Sequence, residues 1–528
     1  MNHIELFAGC GGLSLGIESA GFDLLVANEL SPMAAQTYAF NSLGIDLELG
    51  DEEGKVFWLK SKFQRKDLLS RLKENPFDLP NDSFCDFTLQ EPNNESLKRS
   101  LWVGNIVHLN EMLAGPQSKV RELLKSGLGS GGVDLVSGGP PCQSFSMAGL
   151  RHQTNDRNRL PWEFVKFVSS IQPKMALLEN VSGILKPFKS GEKVYYAWRE
   201  VAKAFAQIGY LPLCLHINAK YIGVAQNRPR FILLALREDI GKEILEKSKD
   251  CELFSALKNS LDFMENARPN ANRSYGLLQC HDIERGSELY NHPFFEALKG
   301  NSKRGLVSVK DAIDDLNQTD SSVSDYVRRL NSVFVNSQSY PLNKEINHEL
   351  RRNGPRVQAR FRVYQVASRI EKTERKELLD FLRGVRKGNL SEKTLKAIRP
   401  FWLLSDSGVL LENPEEVDIL SLLKQLRTKK RSQRALNAEE PAPTALSIPD
   451  DICHYGLKLG DQRTLSVREM ARIQSFPDWF QVKAKVTTGG VCRKIDVPQY
   501  TQIGNAVPPL LGLELGRICK NLIQFADN

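Results

Sequence analysis

The chain opens on an alternation that few architectures accommodate. An apolar run, Ile4–Ala8, is followed by a glycine turn, Gly9-Cys10-Gly11-Gly12, a helix-like Leu13–Ala20 and a second apolar run, Phe22–Ala27. Two strands joined through a helix lie parallel, because the crossover returns the chain to the same end of the sheet. The rhythm resumes at Leu101–Ile106, Val133–Ser137, Met175–Glu179 and Phe231–Leu236. This repetition predicts an α/β fold with a doubly wound, mostly parallel sheet covered on both faces. Residues 42–100 break the rhythm with charge runs and turn formers such as Glu74-Asn75-Pro76 and Pro80-Asn81-Asp82, which marks them as an insertion.

After about residue 240, helical patches and polar connectors replace the alternation. The expected organisation is a first domain over 1–240, a second, smaller domain over 241–460, a connecting segment of the small domain over 461–498, and a C-terminal stretch over 499–528. The apolar helix expected at Leu510–Phe525 packs back on the first domain. Within the second domain a basic helix is expected at Ile419–Arg431, followed by a flexible connector, Ala435–Pro443. No internal repeat is visible.

Composition excludes several classes. With 528 residues, 41% hydrophobic and 25% charged, the chain can build two or more cores and is neither collagenous nor disordered. No run approaches the roughly 20 apolar residues of a membrane span, and the N-terminus lacks a secretory leader, so a cytoplasmic protein is expected. Nine cysteines without a CxxC pair, and eight histidines without ligand spacing, argue against a disulfide framework and a metal site. The net charge is +8, yet residues 351–400 alone carry fifteen Lys or Arg against five Asp or Glu. There Arg351, Arg352, Arg356, Arg360, Arg362 and Arg369 gather around Phe361 and Tyr364, a mixture suited to phosphates and base edges. For Glu371–Arg386, where acids are interleaved, a solvated charged helix is the better reading.

Two strand ends carry candidate chemistry. The glycine turn after the first strand lets backbone approach a ligand, and Glu29 at the end of the second could accept from a ribose diol; plain packing explains such a turn equally well. Gly138-Gly139-Pro140-Pro141-Cys142-Gln143-Ser144 is more telling. Two prolines stiffen the backbone and present Cys142 on a polar loop, as a nucleophile requires and an ordinary buried cysteine does not.

Six segments occur in an order that resembles the DNA (cytosine-5)-methyltransferase family, in its bacterial restriction-modification form. They are Phe7–Gly12, Gly139-Pro140-Pro141-Cys142-Gln143, Glu179-Asn180-Val181, Gln226-Asn227-Arg228-Pro229-Arg230, Arg468-Glu469-Met470-Ala471-Arg472, and Gln502 through Pro509. The resemblance covers about half the chain, over 1–41, 101–238 and 461–528. It implies a Rossmann-like methyltransferase sheet, with 241–460 as the target-recognition domain, and S-adenosyl-L-methionine as cofactor. Cys142 is implied as the nucleophile on carbon 6 of cytosine, activating carbon 5. Glu179 is implied as the acid at ring nitrogen 3. Arg228 and Arg230, on one side of a strand start, would hold the cytosine carbonyl and a phosphate, assisted by Gln226.

Cofactor contacts implied in the same way are Phe7, Gly9, Gly11, Glu29, Leu30, Asn105, Ile106, Pro141, Leu160, Asn505 and Ala506. One departure stands out: Asn105 occupies a position where the family usually has Asp, so an adenine amine would meet an uncharged acceptor. The stretch from Gln143 to Leu160 looks like the family's mobile loop over DNA, with Gln143, Ser146 and Arg151 as contacts to a flipped-out base and its strand. Arg468, Glu469 and Arg472 are expected to brace the recognition domain internally. The partners implied are double-stranded DNA and, in function rather than contact, a cognate restriction endonuclease. A monomer near the nucleoid, with no metal and no membrane, completes the expectation. Three rivals are weighed. A cytosine-5 methyltransferase of tRNA usually has a shorter recognition domain. An amino-group methyltransferase usually has an aromatic where Cys142 stands. A DNA-binding homologue without catalysis would not need every reacting group present.

Overall fold

Nine short segments assemble one sheet in the computed structural model. It describes the chain except residues 89–91, 116–117, 142–158, 191–192, 249–250, 268–276, 301–304, 318–321, 387, 431 and 445–448. In chain order the strands are β1 (Asn2–Leu6), β2 (Asp23–Glu29), β3 (Val56–Trp58), β4 (Ser100–Val103), β5 (Leu135–Gly138), β6 (Met175–Val181), β7 (Tyr210–Asn218), β8 (Pro229–Arg237) and β9 (Cys280–Asp282). Across the sheet they run β9-β7-β8-β6-β5-β1-β2-β4-β3. Neighbours are parallel except at β8, which is antiparallel to both β6 and β7. The chain between β7 and β8 is too short for a crossover, so β8 must turn back.

Both faces of the sheet are covered, as expected. Leu101 and Val103 of β4 join one apolar cluster with Tyr38 and Trp58, while Trp102 between them joins the larger cluster on the other face. From β1 the chain moves out to β2 on one side and later returns to β5 on the other. A crevice therefore opens beyond the carboxyl ends of β1 and β5, where the strand order reverses. Helix α1 (Gly12–Ser19) leaves this point, and α2 (Ile106–Ala114) and α3 (Leu160–Ile171) start beside it. A Cβ on Gly16 would stand 2.4–2.5 Å from main-chain atoms of Pro509, Gly512 and Leu513, so the C-terminal helix, Pro509–Asp527, lies directly on α1.

The insertion adds an edge strand to the sheet, β3 beside β4, and several expectations further along the chain are corrected. Its Arg71 and Asp86 form a buried bidentate pair at 2.8 and 2.9 Å, and Asp86 also accepts from the Trp58 amide. No break in the core falls at residue 240, because apolar side chains from Ile240 to Phe334 pack in the same cluster as β1 and β6. A separate core spans Ala359 to Leu426 and Cys453, built by α4 (Pro355–Ala367) and the helices Lys372–Leu382, Glu392–Ile398 and Glu416–Gln425. The last of these stops six residues short of the expected Arg431. Ala435–Pro443 is no loose connector either. Arg434–Ala435 pairs with Ile452–Cys453, Ala442–Pro443 pairs with Gln226–Asn227, and Leu436 and Ala442 are buried. No helix among the described residues is long and apolar enough to cross a membrane.

Candidate active site

The crevice at the strand-order reversal is shaped by backbone that leaves the usual regions. Phe7, Gly9 and Gly11 have φ of 55°, 57° and 94°, turning the chain sharply between β1 and α1. Nothing lies within 4 Å of where a Cβ on Gly9 would point, so the main chain there is open to a ligand. Glu29 holds this turn: one carboxylate oxygen accepts from the Gly9 amide and the other from the Ser31 amide, each at 2.8 Å. Burial raises the pKa of Glu29 against the pull of these donors. Asn28 links the neighbouring strand end, donating to the carbonyls of Trp102 and Gly104 at 2.8 and 3.1 Å.

The other expected cofactor residues lie at the ends of several elements. A Cβ on Gly12 would be 2.3 Å from the Val507 carbonyl oxygen, which sets the segment holding Asn505 and Ala506 against the glycine turn. Leu30 follows Glu29, Ile106 is buried at the start of α2, Leu160 opens α3, and Pro141 is exposed. Asn105 has a job the sequence did not reveal. Its side-chain oxygen accepts from the Val107 amide at 3.0 Å and caps α2. Beside it lies a small cavity lined by Leu30, Gly104 and Asn105 and, from the insertion, by Trp58, Lys60 and Glu74.

At the neighbouring strand ends sit side chains expected to take part in the reaction. Glu179 and Arg230 are both buried, with the carboxylate oxygen 2.6 Å from Nε. They touch as charges, the N–H itself aimed off the oxygen. Burial, partly offset by Glu179, lowers the Arg230 pKa. The other oxygen of Glu179 lies 3.0 Å from the Cβ position of Gly139, three residues before Cys142. Asn180, next to Glu179, has a structural part of its own. Its amide nitrogen donates to the Pro140 carbonyl at 3.1 Å, tying the end of β6 to the proline pair.

Arg228 is buried too, but it faces a different partner from Arg230. It donates to the Gln226 side chain at 3.2 Å and to the carbonyls of Gly504 and Ala506 at 3.3 and 2.8 Å, joining β8 to the C-terminal turn. Burial and the Arg230 charge lower its pKa. Gln226 is fully buried, and its amide nitrogen has no partner. Cys142, Gln143, Ser146 and Arg151 lie outside the described residues. No group of three or more His, Cys, Asp or Glu among the described residues could hold a metal ion.

The arginines of the second core divide. Arg362 is buried, stacked 3.5 Å over the Trp402 ring and donating to the Trp402 carbonyl, so it holds the fold and cannot meet a phosphate. Arg360 is half-buried and donates to the Leu426 carbonyl, and Arg351 pairs with Asp450 at 2.9 Å. Arg352 and Arg356 are exposed, although Arg356 reaches the Gln425 carbonyl. Periodicity alone could not separate these cases, because a guanidinium on a helix reads the same whether it meets water or a tryptophan. Helix Val467–Ile473, here α5, does act as a brace. Its Arg468 donates to the carbonyls of Ile346, Pro477 and Phe480, and Arg472 pairs with Asp315 and Asp478.

Comparison with known proteins places this architecture. The profile of the family described as C-5 cytosine-specific DNA methylase matches residues 1–69 and 107–521. The type II methyltransferase M.DdeI of Desulfomicrobium norvegicum is 25% identical over 524 residues, covering 98% of this chain and 87% of that protein. The type II methyltransferase M.AgeI of Thalassovita gelatinovora is 25% identical over 550 residues, covering 99% and 100%. A crystal structure of the S. pombe Dnmt2 methyltransferase aligns over 99% of both chains with a TM-score of 0.42 at 11% identity. On the extent of the profile match, the chain belongs to the C-5 cytosine-specific DNA methylase family.

Proposed function

We propose that the protein methylates carbon 5 of a cytosine flipped out of a specific duplex DNA sequence, through a transient Cys142 adduct at carbon 6. The observation that carries this reading is the position of Glu179, its carboxylate against Gly139 and paired with Arg230, next to the loop that bears Cys142. Carbon 5 of cytosine is too weak a nucleophile to be alkylated unaided, and addition of a thiolate at carbon 6 supplies the missing electron density. Glu179 would donate to ring nitrogen 3 as charge builds there. Arg230 keeps that carboxyl in place and adds positive charge beside the ring. Arg228 positions Gln226 and the Asn505–Ala506 turn. The second core, with Arg352 and Arg356 at its surface, would reach DNA together with Gln143, Ser146 and Arg151.

S-adenosyl-L-methionine, when bound, supplies an electrophilic methyl group. The open main chain at Gly9, the adjoining cavity and the unpartnered Trp58 indole N–H fit a nucleoside ligand. Phe7, Gly9, Gly11, Glu29, Leu30, Ile106, Pro141, Leu160, Asn505 and Ala506 would hold it. In this reading the enzyme works as a cytoplasmic monomer and protects its own DNA from a matching endonuclease. A duplex carrying 5-fluorocytosine at the target is expected to trap the protein through Cys142 when the methyl donor is present. Absence of that adduct, or methylation of tRNA and not of duplex DNA, would overturn the proposal. Cys142→Ala is expected to abolish methyl transfer while leaving DNA binding intact.

A further inference from the structure

The insertion over residues 42–100 forms a wall of the cavity beside the glycine turn. We propose that Glu74, carried by this insertion, is the acceptor that recognises the adenine amino group at the nucleoside end of the methyl donor's site, with Trp58 as the wall beside it. The inference rests on the reading of S-adenosyl-L-methionine as cofactor and goes beyond it, because it assigns the base-recognising carboxylate to a segment outside the methyltransferase motifs.

Three observations carry it. First, the cavity lies between the chain ends that follow β2 and β4, at Leu30 and Gly104, and Glu29 just before it holds the Gly9 amide. Second, the position expected to read the amine cannot do so with charge. Asn105 is neutral, and its side-chain oxygen already accepts from the Val107 amide. Among the residues lining the cavity, Glu74 supplies the carboxylate. Third, the wall is preorganised. One Glu74 oxygen accepts from the Ser61 hydroxyl at 3.1 Å and from the Lys62 amide at 3.0 Å, which fixes the carboxylate. Trp58 is buried, with its amide held by Asp86, its ring 5.2 Å from the Arg71 guanidinium and its indole N–H without a partner. An adenine ring offers both a donor, its amine, for Glu74 and ring-nitrogen acceptors for an unpaired N–H.

Calorimetry with S-adenosylhomocysteine and with S-inosylhomocysteine, in which a carbonyl replaces the amine, tests the assignment on the full-length protein. The wild type is expected to prefer the adenosyl ligand by about 10- to 100-fold, the loss expected for a hydrogen bond to a charged group. Glu74→Gln, which keeps the shape and can donate to the inosine carbonyl, is expected to erase most of that preference. Its melting temperature without ligand should stay close to that of the wild type. Undiminished preference in Glu74→Gln would overturn the assignment while leaving the cofactor reading intact. Failure of the wild type to bind either ligand would instead overturn the cofactor reading.

Discussion

Under the proposed function, Asn180 is a residue without chemistry of its own that sets the reaction. Its side chain spans from the end of β6 to the Pro140 carbonyl, and Pro140 leads directly into the loop of Cys142. Asn180→Ala removes the tether and leaves Glu179 and Arg230 in place. A misplacement of about 1 Å costs roughly 100-fold in rate, so kcat for methyl transfer should fall by one to two orders of magnitude, with DNA affinity unchanged. Single-turnover methylation beside a DNA-binding titration checks this, and an unaltered kcat refutes it. At this scale, the grouping of charged residues at strand ends was legible: Glu29, Glu179 and the buried pair Arg228 and Arg230 all belong to short segments at the ends of neighbouring strands. Asn180 and Asn105 were less legible, because an asparagine can cap, tether or recognise with the same atoms. Arg362 was misread, since only the fold places Trp402 beneath it.

Among the elements, the alternation of apolar runs and helices identified six strands of the sheet, and the segments that escaped it did so for physical reasons. Strand β7 contains Pro212, which lacks an amide donor and reads as a breaker. The strand tolerates it because β9 covers only Cys214 to His216, so at Pro212 one flank of the strand is a free edge. Ser260 then donates to the Pro212 carbonyl at 2.8 Å. Strand β3 is three residues inside a charged insertion, too short for any period to show. Return of the C-terminal helix to the first domain, by contrast, was expected, and Gly16 allows it to lie directly on α1. Main-chain atoms of Pro509, Gly512 and Leu513 would surround a Cβ there at 2.4–2.5 Å, and backbone cannot rotate aside as a side chain can. Gly16→Ala should therefore force the helices apart and cost about 1–3 kcal/mol, the usual range for overpacking. Gly115→Ala, where the nearest atom is 3.9 Å away, is the matched control and should leave the melting temperature unchanged. Equal melting of the two variants by calorimetry would refute the close-approach argument.

For the whole molecule, the question is how a second core is fastened to the catalytic sheet, and the answer lies in buried polar joints that composition does not reveal. The chain returning from the second core pairs at Ala442–Pro443 with Gln226–Asn227, and Thr444 donates to the Asn227 carbonyl at 2.9 Å. Close by, Glu469 of α5 accepts two hydrogen bonds from Arg463 at 2.8 Å, while the Arg463 carbonyl accepts from the amide of His454, next to Cys453 of the second core. A boundary near residue 240 was suggested by a change of rhythm, but the sheet's core continues through residues whose pattern is merely irregular. Burial alone would raise the Glu469 pKa, yet Arg463, with His454 and the Ser466 amide, brings it down from the usual 4.5 to about 2. The folded pKa thus lies below the unfolded one. The stability this group contributes is complete above about pH 4.5 and is lost as the pH falls toward 2. At about 1.4 kcal/mol per unit, the contribution is on the order of 3 kcal/mol. Glu469→Gln leaves Arg463 buried without its counter-charge, which should cost about 3–5 kcal/mol at neutral pH. The variant should also melt with a weaker pH dependence than the wild type between pH 5 and 3. Parallel melting curves across that range would show that Glu469 titrates normally and that the joint between the two cores is held by other contacts.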